Sequence, residues 1–192
     1  SAWPAFDAYK ASLGPDGSHC TFAAEALAEL QFGLELLAER GEIDPGSPEA
    51  DAFVNAALKA VVMHEVGHTL GLTHNFRAST VYTEAQLADR EFTRRNGIAG
   101  SVMEHNAVNL ALKGEPQGEY HMSTLGPYDY WAIEYAYTPN EADLPKIVSR
   151  VAEKGLDYGD ADAVLIGADI YGWVTRATAG RRVRKVAWLI TS

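Results

Sequence analysis

Three histidines in one stretch, His64-Glu65-Val66-Gly67-His68-Thr69-Leu70-Gly71-Leu72-Thr73-His74, constrain what this chain can fold into more than any other feature. Residues four apart share one face of a helix, so a helix through this stretch lets His64 and His68 offer imidazole nitrogens to a single metal ion. Glu65, one step round, leans over the same point. Glycine takes a positive φ without a Cβ clash, so Gly71 can end the helix and turn the chain back, bringing up His74 as a third nitrogen. Three protein nitrogens leave the fourth position of a tetrahedral zinc open to water, which separates catalytic from structural zinc. The competing reading is an amphipathic helix whose histidines coincide by chance.

The flanking sequence supplies the helix. Ser47 followed by Pro48, Glu49 and Asp51 is a strong helix start, with an N-cap, proline at the first position and acids in the first turn. Phe53, Ala57, Leu58, Val61 and Val62 then carry an apolar face into His64, which predicts one helix from about Pro48 to Leu70, about 35 Å long. Before it, Phe22, Ala26, Leu30, Leu34 and Leu37 recur at helical spacing, with Thr21 to cap the start and Gly41 to close the end. Residues 1–20 read as an irregular lead-in. Nothing before His64 alternates apolar and polar over a strand's length, so the chain approaches its histidines through helices.

After the histidines, Thr83-Glu84-Ala85-Gln86 begins a short polar helix that fades by Asn96-Gly97, and Met103 sits in a compact apolar segment. Gly126-Pro127-Tyr128 opens an aromatic-rich helix that Thr138-Pro139 stops, and Asp143-Leu144-Pro145 opens another that Gly155 ends. Residues 174–178 and 183–190, separated by Ala179-Gly180-Arg181, read as a hairpin. The expectation is a mainly α chain with little β: residues 1–140 form the core, and 141–192 a helix and possible hairpin extending the same domain.

A net charge of -10 argues against a nucleic-acid partner, because the one basic run, Arg181-Arg182-Val183-Arg184-Lys185, reads as a solvated strand or turn. No apolar run reaches the length of a bilayer span. The first residues do not resemble a signal peptide, and without an initiator Met the chain is expected to be a mature product or a piece of a longer parent. A lone Cys20 excludes an internal disulfide; its plain role is structural, its other one to cap a zinc in a latent form.

The run from His64 to His74, followed by Ser101-Val102-Met103-Glu104-His105, resembles the metzincin zinc endopeptidases, whose extended zinc motif precedes a tight turn carrying a Met beneath the metal. Together with Asn75-Phe76, Leu125-Gly126-Pro127-Tyr128-Asp129 and Ala132-Ile133-Glu134-Tyr135, the chain is similar to a bacterial group of large, mostly exported zinc-dependent peptidases, over about residues 60–140. The resemblance implies one catalytic zinc held by His64, His68 and His74, Glu65 as general base, Gly71 as the turn residue and Met103 as the floor of a Met-turn. It further implies a protein or peptide substrate and an extracytoplasmic location. Two departures stand out. The family's upper sheet, with its substrate-pairing edge strand, is absent or lies outside this chain. Where several branches carry Tyr two residues after the Met, this chain has His105.

These residues carry a defined chemistry. Glu65 takes a proton from a zinc-activated water that attacks the scissile carbonyl, then hands it to the leaving amine. His105 can donate to the oxyanion, ligate zinc transiently or fill the space behind the ligands. Tyr128, Tyr120 and His121 are further oxyanion candidates, against plainer roles in core packing for Tyr128 and in a partly exposed loop for the other two. Asp129 suits the dipole at a helix start, or support of a metal-bound histidine. The alternatives to a zinc metalloendopeptidase are a non-catalytic zinc-binding fragment or interaction module of a larger peptidase, and a zinc hydrolase of non-peptide amides or esters.

Overall fold

Ser47 caps the start of the longest helix among the described residues as the sequence predicts: its hydroxyl accepts the Ala50 N–H at 3.2 Å, and Pro48 occupies the first turn. The computed structural model describes residues 22–159, and this helix, α2, runs Pro48–Thr69. Before it lies α1, Phe22–Glu39. After it come α3, Glu84–Ala88, α4, Arg90–Asn96, α5, Pro127–Tyr137, and α6, Leu144–Val148, with single 3-10 turns at Ala78–Thr80 and Glu141–Asp143. Thr21, Cys20, the basic run and the expected hairpin lie outside the described residues.

The α1–α2 pair encloses the first of two apolar clusters. Leu30 and Leu37 of α1 meet Ala50, Phe53 and Ala57 of α2, with Ile43 from the connection and Val108 from beyond the histidines. Gly33 is what lets the helices close, because a Cβ there would stand 2.7 Å from the Phe53 ring. Gly41, at φ +70, ends α1 as expected, its N–H bonding to the Ala38 carbonyl at 2.9 Å. The second cluster, Ala60, Ala78, Ile98, Ala99, Val102, Met103 and Met122, lies under the C-terminal half of α2. One face of α2 looks outward: Leu58, Val62, Val66 and Leu70, four residues apart, are all exposed.

Among the described residues the fold is helical and contains no strand, in agreement with the mainly α expectation. The single polar helix expected over 83–96 is two. Asp89 adopts an extended conformation that ends α3, and its carboxylate then accepts the N–H groups of Glu91 and Phe92 to start α4. A short acceptor side chain competing for backbone donors breaks a helix in this way. No helix among the described residues is long and apolar enough to cross a membrane.

Candidate metal centre

The last turn of α2 delivers His64 and His68, and the chain reverses where predicted. Gly71 has φ +86, its N–H bonds to the His68 carbonyl at 3.0 Å, and the Leu72 N–H bonds to the Gly67 carbonyl at 3.0 Å. The loop that follows brings His74 back over the helix end. A tie from the Asn75 N–H to the Met103 carbonyl, 3.0 Å, joins that loop to the turn carrying Met103. His105 enters from the far side of this turn, so four histidines share one place: ring centroids are 4.7 Å apart for His64 and His68, 5.3 Å for His64 and His74, and 4.4 Å for His74 and His105.

Hydrogen bonds fix which nitrogen of each ring faces inward. The Val102 carbonyl accepts from Nδ1 of His64 at 2.8 Å, and the Leu72 carbonyl accepts from Nδ1 of His68 at 3.0 Å. A carbonyl only accepts, so each Nδ1 carries the proton and each Nε2 keeps its lone pair. Nε2 of His68 lies 3.1 Å from Nε2 of His74, and the ligand atoms of His64, His74 and His105 lie within 4.8 Å of one another. Two nitrogens on one tetrahedral zinc are about 3.3 Å apart. Burial is the main cause that pushes the His64 imidazole down to about 3, opposed by its Val102 bond and reinforced by the neighbouring histidines. His64 is therefore neutral and able to ligate near neutral pH.

Beneath the site Met103 is fully buried, and its sulfur packs against Gly67 so closely that a Cβ there would meet it at 2.3 Å. Gly67, between the two helical histidines, is the position where such a floor requires no side chain. Asp129 holds the turn above this floor. Its carboxylate accepts from the Ser101 hydroxyl at 2.5 Å, the Val102 N–H at 2.9 Å and the Gly126 N–H at 2.8 Å. It thus caps α5, the helix-start role expected of it, and also grips the peptide unit whose neighbour anchors His64. Burial raises its pKa, and those three donors work against the rise.

Glu65 presents a buried Oε1 with no hydrogen-bond partner. A buried carboxylate oxygen left without a protein donor fits a site completed by a water. Together with the inward nitrogen lone pairs, it makes this donor set suitable for a zinc carrying a water.

Other sequence candidates lie elsewhere. The Tyr128 ring contacts Trp131 and stacks on Tyr158, and burial raises its phenol. Tyr158 shares a 3.0 Å hydrogen bond with the Thr73 hydroxyl, so Tyr128 bears on the His74 loop from behind. Tyr120 and His121 pack against Phe53, with ring centroids 5.0 and 4.9 Å away. Burial pushes the His121 imidazole down to about 4, and its Nε2 has no partner. The unfolded chain protonates this group near pH 6.5 and the folded chain does not. Its contribution is therefore whole above that pH and lost as pH falls toward 4, by about 2–3 kcal/mol. Denaturant titrations of His121→Phe across this range should show an acid limb shallower by about one proton.

Sequence reading passed over Glu25, whose carboxylate accepts from Nδ1 of His105 at 2.9 Å. Eighty residues separate the pair, and no local pattern announces such a contact.

The family model described as Met-zincin matches residues 46–171, well over half of the chain, which therefore belongs to that family. No curated protein and no solved structure matches it. Membership and the grouped histidines together suggest zinc metallopeptidase-type function.

Proposed function

We propose that this Met-zincin is the catalytic core of a zinc-dependent endopeptidase in which His64, His68 and His74 hold the metal, Glu65 is the general base and Met103 is the floor. Two observations together carry the reading: His64 and His68 are held with their Nε2 lone pairs free of the backbone bonds made by Nδ1, and the Glu65 Oε1, one residue along the same helix, is buried without a partner. A zinc bound by these residues would lower the pKa of its water toward neutrality and polarise a carbonyl. The chain's own residues do the rest. The Val102 and Leu72 carbonyls hold the first two rings in the ligating tautomer, and Gly71 sets the turn that presents the third. Glu65 Oε1, with no donor to satisfy it, is available to take the water's proton and pass it to the leaving amine. His105 lies closest to the inward nitrogens among the oxyanion candidates, 3.1 Å from His74 Nε2, whereas Tyr128 packs among aromatics.

The substrate class is protein or peptide. The division into a core, 1–140, and an extension of the same domain, 141–192, is part of this proposal, and a family match that runs across position 140 supports a single unit there. The parent is a longer, extracytoplasmic bacterial peptidase of the large exported group that the motifs resemble, and the net charge of -10 leaves nucleic acid out.

Elemental analysis and a mixed-peptide cleavage assay with and without chelator test this reading. The expected result is about one zinc per chain and cleavage that chelation abolishes and zinc restores. Zinc without cleavage would replace the peptidase with a binding module, and no metal uptake would overturn the site.

A further inference from the structure

His105 stands beside the histidines that the motif assigns to the metal. Its Nδ1 bonds to the Glu25 carboxylate at 2.9 Å, and a carboxylate accepts, so Nδ1 carries the proton and Nε2 keeps its lone pair. That Nε2 lies 3.1 Å from His74 Nε2, the same separation as between His68 Nε2 and His74 Nε2. The separation suits nitrogens sharing one metal. His105 also belongs, with His64 and His74, to the group whose ligand atoms all fall within 4.8 Å. The ring is wedged between Phe22 and Phe76, both with centroids 5.0 Å away, so its position is set by packing as well as by Glu25.

We infer that His105 is the fourth nitrogen ligand of the resting metal and that Glu25, on α1, is the positioning residue that holds it there. This inference rests on the metal reading above. A carboxylate–histidine–metal arrangement raises the basicity of the ligand and fixes its ring. The resting centre is then closed by protein, and water or substrate reaches the metal only when His105 gives up its place.

The test uses the full chain loaded with Co²⁺ as a spectroscopic probe, followed by zinc competition titration. Azide should leave the visible Co²⁺ bands of the parent unchanged. In His105→Ala the bands should shift and respond to azide, and zinc affinity should fall about 10–100-fold or more. Should His105→Ala fail to fold, Glu25 serves instead, since its side chain is 53% exposed and its removal leaves the core intact. Glu25→Ala should lower zinc affinity about tenfold and make the spectrum azide-sensitive, while Glu25→Gln, which still offers an acceptor to Nδ1, should recover much of both. A parent spectrum that already responds to azide, or a His105→Ala spectrum identical to the parent's, would overturn the inference while leaving the three-histidine site standing. A parent that binds no metal would instead overturn the underlying function.

Discussion

Asp129→Ala should lower the unfolding free energy of the metal-free chain by about 3–5 kcal/mol and weaken zinc binding about 10–100-fold. The carboxylate is 1% exposed and serves three donors: the Ser101 hydroxyl and the N–H groups of Val102 and Gly126. Truncation leaves all three in a buried space without an acceptor, and each orphaned donor costs about 1–3 kcal/mol. Partial collapse or entry of water keeps the total below the simple sum. The effect on metal follows from connectivity. Val102 offers its N–H to Asp129 and its carbonyl to Nδ1 of His64, so one residue separates the carboxylate from a ligand. If that residue loses its anchor, the ring it orients loses its fixed tautomer and direction. The replacement Asp129→Asn keeps one acceptor oxygen and should cost about half as much. Urea titration with chelator present, beside zinc competition with a chromophoric chelator, separates the two effects. A stability loss under about 1 kcal/mol would mean that the surrounding donors find other acceptors.

The Asp129 chain also marks where sequence reading reaches and where it stops. The Ser47 cap, the α2 apolar face, the spacing of His64 and His68 and the turn at Gly71 are all set within one helix and its flanks. Periodicity and local capping chemistry display such features directly. The stop at Thr138 was equally local. Contacts across 27 or 28 residues, as between Asp129 and Val102 or Ser101, or across 80, as between Glu25 and His105, leave no periodic trace. They come from how α1, α2 and the Met103 turn pack, which residue order alone does not specify. Asp129 was legible as a residue suited to a helix start, and half of its role lay there. Glu25 carried no signal beyond a polar position on α1. The split at Asp89 lay within reach, since a short carboxylate followed by Arg90 and Glu91 is itself a helix-start pattern, yet the continuous polar run concealed it.

Glu65→Gln should leave about one zinc per chain while reducing kcat/KM on a peptide substrate about 10²–10⁴-fold. Glutamine preserves the shape of glutamate but cannot accept a proton, so the substitution removes general-base catalysis and little else. The metal should be retained, because Glu65 is assigned no ligand role and the groups that orient His64 and His68 are backbone carbonyls of Val102 and Leu72. Stability supplies a third readout. The wild-type oxygen Oε1 is buried without a partner, and an uncharged amide is cheaper to bury than a carboxylate that lacks a donor. The variant should therefore be at least as stable as the parent, by about 0–1 kcal/mol in thermal or denaturant unfolding. A site kept for chemistry at the expense of stability predicts this combination of lost turnover, retained metal and unchanged or higher stability. Cleavage at the parental rate would mean that another group takes the proton. Loss of metal along with activity would mean that Glu65 holds the site together, and its unpartnered oxygen would need a structural explanation instead.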